Sequence, residues 1–232
     1  MQKAVILFLI LLSVCTASFN TISYVRPEFY FTRGSEITYA VTSGDGATGY
    51  CVITIESLTE RNGGTTIFAK NQVQNDQHRN TLRYRMTYYC DSVNWYVDPL
   101  NHLDIPLEYS SIVSLRSDSL VYPYRMKAGD ILPAASGSEL IYGTANNERY
   151  VLVNNRKVVA SESVAAGGEM MQAFRIESVL IKGSVADHGV LSKIPTETEY
   201  SFTEWFVPSK GVVKSEIKTN TGTTTTLFES VK

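Results

Sequence analysis

Between Leu82 and Cys90, the apolar residues Leu82, Tyr84, Met86 and Tyr88 alternate with Arg83, Arg85 and Thr87. A period of two sends the two sets to opposite faces of an extended chain, so the segment predicts a strand with one dry face and one wet face. Ile37, Tyr39 and Val41 alternate in the same way with Thr38, Ala40 and Thr42, and Val52 to Ile55 continues the pattern beyond a turn at Gly44 to Gly49. Arg61-Asn62-Gly63-Gly64 reads as a hairpin turn, because Asn-Gly tolerates the positive φ of a type I′ turn, and Thr65 to Phe68 is the returning strand. Asn94 to Val97, Ile112 to Val121, Leu140 to Thr144, Tyr150 to Val159, Phe174 to Val185, Val212 to Ile217 and Thr223 to Val231 are further strand-like runs. A run through Tyr200, Phe202 and Trp205 is stopped by Pro208, and Pro99 to Tyr109 is the least regular stretch, with room for one short helix.

Short strands separated by frequent turns, with no alternating helices, predict an all-β fold: an antiparallel β-sandwich or an open, curved barrel-like sheet with little helix. The 232 residues contain 44% hydrophobic side chains, too many for a disordered chain. No linker rich in proline, serine or charge interrupts them, so residues 18–232 are expected to form a single domain. The net charge of −2 provides no footprint for nucleic acid or an anionic membrane surface.

The N-terminus has the order of a secretory signal peptide. Lys3 supplies the positive start, Ala4 to Leu12 is an unbroken apolar run, and small residues follow to Ser18. The apolar run is shorter than the roughly 20 residues that span a bilayer. Cleavage is expected after Ala17, giving residues 1–17 as a removed signal and a periplasmic, cell-surface or secreted product with no transmembrane segment. A lipid anchor on Cys15 is the second reading, disfavoured by Val14 where a small residue is expected. Cys51 and Cys90 then remain in an oxidising compartment, which favours a disulfide over a metal site. Such a bridge would be worth about 3–4 kcal/mol in the chain-entropy model.

Several islands resemble the TapB-like family of exported bacterial proteins, a group largely without assigned biochemistry. They are Phe29-Tyr30-Phe31-Thr32-Arg33-Gly34 running into Tyr39, Tyr122-Pro123 with Lys127 to Pro133, and Asn155-Arg156-Lys157-Val158 with Glu162-Ser163-Val164. The fourth is Glu204-Trp205-Phe206-Val207 with Gly211-Val212-Val213-Lys214. The resemblance implies an exported β-rich single domain and supplies no catalytic residue. It departs at Ala173-Phe174, where family members often carry a cysteine that could pair with one near Cys90; here Cys51 is the only partner on offer.

Residue patterns that could carry chemistry are few. Gly44-Asp45-Gly46-Ala47-Thr48-Gly49 fits G-x-G-x-x-G, but a strand follows it where a dinucleotide site needs a helix N-terminus, so a hairpin loop is the reading. His78 and His188 sit in polar turns. His102-Leu103-Asp104 could put an imidazole and a carboxylate on one side of an extended segment, yet there is no G-x-S-x-G elbow and no cysteine adjacent to a histidine. Glu197 and Glu199 share a strand face about 7 Å apart, a solvated face by default. Asp91, Asp98 and Asp104 lack the ligand density of a calcium loop. No catalytic residue, metal or cofactor is therefore expected. The 14 tyrosines weigh more. Tyr84, Tyr88, Trp95, Tyr96, Tyr122 and Tyr124 crowd the central third, either as packing or as an aromatic binding face.

These readings predict a non-catalytic extracytoplasmic module that binds a protein, glycan or lipid partner at the cell envelope through a sheet edge or an aromatic face. The alternative is a carrier holding a lipid or other apolar molecule in a cavity within a curved sheet. A hydrolase comes third.

Overall fold

The computed structural model describes residues 27–102, 112–141, 147–187, 193–220 and 222–232. The signal segment, Cys15, Asp104, Tyr109 and His188 lie outside them. The chain enters through a 3-10 turn at Glu28–Phe31 and then forms β1 (Glu36–Thr42), β2 (Thr48–Arg61), β3 (Gly64–Asn75), β4 (Asn80–Cys90) and β5 (Asn94–Val97). A second 3-10 turn, Pro99–His102, precedes β6 (Ile112–Ser117), β7 (Leu120–Pro123), β8 (Ala135–Ile141) and β9 (Asn147–Ala166). The last strands are β10 (Glu169–Asp187), β11 (Lys193–Val207), β12 (Gly211–Thr219) and β13 (Gly222–Val231). The fold is all-β, and among the described residues no helix is long and apolar enough to cross a membrane.

All thirteen strands join in one antiparallel sheet, ordered β6-β8-β9-β10-β11-β12-β13-β1-β2-β3-β4-β5-β7. Its two edge strands, β6 and β7, are neighbours in the chain, separated only by Asp118 and Ser119. Three Cα steps reach about 10–11 Å at most. The first and last strands of the sheet must therefore meet at that corner, and the sheet curls into a nearly closed barrel. The segment Ile112 to Val121, which reads as one strand in sequence, is where the chain leaves one edge and starts the other.

Alternation decides what the barrel encloses. Ile67, Ala69 and Asn71 on β3, Tyr84 and Tyr88 on β4, Trp95 and Val97 on β5, and Ile176, Ser178 and Leu180 on β10 are all buried on the inner face. Burying an apolar side chain of this size stabilises by about 1.5–3 kcal/mol. Asn62 (φ 51°) and Gly63 (φ 78°) make the β2–β3 hairpin turn in the left-handed region that the Asn-Gly pair predicts. The Gly44–Gly49 segment is the β1–β2 turn, and a Cβ on Gly44 would lie 2.6 Å from the Gly222 Cα, so this glycine serves backbone packing.

The expected Cys51–Cys90 disulfide is not formed. Cys51 stands opposite Val73 and Cys90 opposite Thr65, both on β3. Between those partners β3 advances by about 26 Å, far beyond the roughly 7 Å that a disulfide allows between Cα atoms. Each thiol is engaged where it stands: Asn71 Nδ2 donates to Cys51 Sγ at 3.2 Å, and Cys90 Sγ donates to the Thr65 carbonyl at 3.7 Å.

Candidate functional site: an aromatic chamber inside the sheet

The inner face does not fill the barrel. A cavity of about 400 Å³ remains, near the lower end of the range for small-molecule sites. Its floor is aromatic. Tyr30, delivered by the first 3-10 turn, packs against Tyr88 and Trp95 with ring centroids 4.9 and 4.8 Å away, and Tyr88 stacks on Trp95 at 5.2 Å. The hydroxyls of Tyr30 and Tyr39 are 3.0 Å apart, and Tyr39 donates on to the Val212 carbonyl at 3.2 Å, so their polar tips are satisfied by each other and by backbone. Burial pushes the Tyr30, Tyr39 and Tyr88 hydroxyls above the ordinary tyrosine range, which keeps the floor neutral. Toward the end of the sheet that carries the β1–β2 and β3–β4 turns, the lining changes to Val41, Val73, Ile217, Thr224 and Thr226.

Polar groups line two opposite walls. On the β1–β4 side, Asn71 is buried between Cys51 and Tyr84 and donates to the Tyr84 hydroxyl at 2.5 Å, while its Oδ1 has no partner. On the β10–β11 side stand Lys182, Phe202 and Glu204, joined by His102 from the second 3-10 turn. The His102 ring meets Phe202 edge-on at 5.3 Å, and its Nε2 is enclosed without a partner. Burial first, then Lys182 and Arg156, lower the imidazole to about 3, so it is neutral at physiological pH. Glu204 accepts a 2.8 Å bond from Tyr122 on Oε1, while Oε2 is buried without a partner. Burial raises this carboxyl above the ordinary range, an effect that Arg156 and the Tyr122 bond partly offset.

Arg156 backs this wall. Asn155 takes φ 52° where the β9–β10 register shifts, and the resulting bulge turns Arg156 inward to complete burial. Its Nη1 donates to the carbonyls of Val121 at 3.1 Å and Pro133 at 3.2 Å, and its guanidinium carbon lies 4.7 Å from the Tyr122 ring centre. Residues 129–132 pair along β9 at the bulge, through Gly129 N to Val158 O, Val158 N to Asp130 O and Leu132 N to Arg156 O. Arg156 therefore ties β9 to β7, two strands that lie near opposite ends of the sheet.

The aromatic residues singled out in the sequence do gather, on the inside. Tyr84, Tyr88, Trp95 and Tyr122 line the chamber, and Tyr124 is buried nearby. Tyr96 alone takes the outer face, bonded to Asp91 and Asn94 and 5.2 Å from the Tyr89 ring. The six thus do not make one exposed face. His78 lies in its turn at φ 56° and stacks on Tyr50. Glu197 is exposed and accepts a bond from Tyr150 at 2.5 Å. Among the described residues no group of three or more His, Cys, Asp or Glu could hold a metal.

Asn71, Lys182, Arg156 and Glu204 went unremarked as site residues in the sequence. Three of them carried a readable signal, being polar residues at inward parity: Asn71 between Ala69 and Val73, Lys182 after Leu180, and Glu204 between Phe202 and Phe206. On the outer face, the register opposes Trp205 to Lys214, whose ammonium lies 4.2 Å from the indole, while the indole N–H donates to Glu162 at 2.7 Å. The tryptophan strand and the glycine–valine–x–lysine strand after it are thus one cross-strand contact.

Residues 32–227 match the model of a protein family described as DUF3108-like. The chain belongs to the DUF3108-like family. Two solved structures share the DUF3108-like chain's architecture. A Bacteroides fragilis protein provisionally described as exported, with a YmcC-like fold, superposes with a TM-score of 0.65 at 17% identity, covering 88% of this chain and 99% of that one. A Parabacteroides distasonis protein provisionally described as a lipoprotein gives 0.64 at 14% identity, covering 90% and 98%. At these identities the likeness shows the fold. No curated protein matches.

Proposed function

We propose that this DUF3108-like chain is an extracytoplasmic, non-catalytic binding protein that holds a small, largely apolar ligand inside its curved sheet. The observation that carries the reading is the 400 Å³ aromatic chamber with enclosed, unpartnered polar atoms of Asn71, His102 and Glu204 on its walls. Leaving a buried polar atom without a partner costs about 1–3 kcal/mol, so a ligand that reaches these atoms gains what the protein alone forgoes. The inward placement of Tyr84, Tyr88, Trp95 and Tyr122 favours this carrier reading over docking through an outer aromatic face. A depressed imidazole is a weak base, and His102 packs on a phenyl ring, which favours binding over hydrolysis.

Export is supported by the signal-like first 17 residues, by the islands that resemble TapB-like exported proteins, and by the description of the two structural neighbours as an exported protein and a lipoprotein. The test is native mass spectrometry of the protein purified from its own envelope fraction, before and after solvent extraction. An adduct that extraction removes, and that Val73→Trp prevents, is the expected result. A protein of bare polypeptide mass that also fails to take up added amphiphiles contradicts the reading.

A further inference from the structure

We infer that the ligand carries a neutral hydroxyl that donates to Asn71 Oδ1 on the β3 wall, with its apolar remainder laid among the chamber's aromatic and aliphatic side chains. The inference rests on the chamber reading above and names the polar group by which the chamber holds its guest.

Asn71 lies at inward parity on β3, opposite Ile53 of β2 and Tyr84 of β4, and is only 2% exposed. An asparagine amide has two N–H donors and one carbonyl oxygen with two lone pairs. Nδ2 directs its N–H groups to the Tyr84 hydroxyl at 2.5 Å and to Cys51 Sγ at 3.2 Å, so these three side chains meet at one point of the chamber wall. Among the described residues nothing donates to Oδ1. What remains at this point is an acceptor in need of a donor. The terminal torsion of an asparagine is soft, so the amide turns readily toward a donor arriving from the chamber.

The donor's chemistry follows from what surrounds it. An ether, an ester or a ketone brings only further acceptors to an acceptor. An ammonium donates, but its charge would enter a wall of Cys51, Ile53, Val73 and Tyr84, near Tyr39 and Tyr88, whose hydroxyls burial keeps neutral. Burying a charge without an opposite one is among the costliest steps in a protein interior. An amide N–H also donates, and it carries a carbonyl that needs a donor of its own. A hydroxyl is the neutral donor that adds least polar surface to an apolar space. The fold gives it a route as well. Toward the β3–β4 turn the next inward residue on β3 is Val73, where the lining is partly exposed, as it is at Val41 and Ile217, while Tyr30, Trp95 and Tyr122 are buried. A guest entering at the turn end passes Val73 and then meets Asn71.

Decan-1-ol and 1-methoxynonane are isomers that differ in whether the oxygen carries a proton, and calorimetric titration of the purified chain with each separates the two levels of the argument. The alcohol is expected to bind about fivefold or more tightly than the ether. Asn71→Leu, close in volume, should bring the two to within about twofold while leaving the affinity for the ether unchanged. A second readout needs no variant: Cys51 lines the chamber beside Asn71 whereas Cys90 is fully buried, so saturating decan-1-ol should suppress the alkylation of Cys51 by iodoacetamide. Equal affinity for the two isomers, or undiminished alkylation of Cys51, overturns the Asn71 assignment while the chamber reading stands. An alcohol preference that survives in folded Asn71→Leu, or a loss of affinity shared equally by both isomers, overturns it too. Failure of both isomers to bind the unaltered chain overturns the chamber reading itself.

Discussion

Tyr122 donates its hydroxyl proton to Glu204 across 2.8 Å, joining the edge strand β7 to β11 in the middle of the sheet. The two residues stand 82 positions apart in the chain, and the stretch between them holds most of the second half of the fold, so the bond is a cross-barrel tie. Tyr122→Phe would leave both oxygens of a buried carboxyl without a donor. The expected loss is about 1–3 kcal/mol in denaturant unfolding, with Glu204 pushed higher still. Glu204→Gln keeps an acceptor for Tyr122 and removes a carboxyl whose charged form burial disfavours, so it should cost less than Tyr122→Phe.

Arg156 is the costlier residue to lose. Arg156→Met removes two donors to backbone carbonyls and the cation over the Tyr122 ring, and it strips Glu204 of the charge that holds its carboxyl down. Breaking a buried charged cluster from one side destabilises by roughly 3–5 kcal/mol. Thermal unfolding of Arg156→Met beside Glu204→Gln should rank them in that order.

The separation of Cys51 and Cys90 along β3 predicts indifference to redox conditions. The melting temperature of the purified chain should be the same with and without a thiol reductant, and Cys51 and Cys90 should titrate as two thiols after unfolding under non-reducing conditions. A reductant-dependent fall of several degrees would require a register different from the one described.

Two groups, the enclosed His102 and the half-buried Glu139, tilt stability in opposite directions with pH. Folding lowers His102 from 6.5 to about 3, through burial first and the cations Lys182 and Arg156 second. In that window the unfolded chain binds a proton the folded chain refuses, so this contribution is complete above pH 6.5 and is lost as pH falls toward 3. Glu139 is raised from 4.5 to about 7, by burial first and Asp98 second, with Arg149 opposing. Its contribution is complete below pH 4.5 and is lost as pH rises through 7. His102→Gln should flatten the acid limb of a stability profile and Glu139→Gln the neutral limb, read by denaturant midpoints from pH 3 to 8.

Gly44 and Gly222 approach through backbone alone, so Gly44→Ala should lower stability by about 1–3 kcal/mol without touching the chamber. Unchanged uptake of added amphiphiles by the folded variant would accompany that loss.

Much of this architecture was legible from local pattern. The four-residue run Asn94 to Val97 is β5, the Asn62-Gly63 turn has its positive φ angles, and the absence of a helix after Gly44 removed the nucleotide reading. Closure was not legible, because it depends on two strands at opposite edges being adjacent in sequence, and period-two alternation says nothing of which strands pair. The inward turn of Arg156 comes from a bulge, which breaks the parity that a sequence reading relies on. In sequence the tyrosines suit either packing or a surface face; the sheet's curvature offers a third place, the wall of a cavity, that no single strand reveals. The cysteine pairing failed for a related reason, since compartment chemistry permits a bridge that register forbids.

The most direct measurement is a crystal structure of the protein grown with 12-bromododecanoate, read by the anomalous signal of bromine. The account predicts a bromine peak inside the chamber, among Tyr39, Tyr88 and Trp95. Bromine found only on the outer surface, with the protein's own side chains filling the interior, would contradict it.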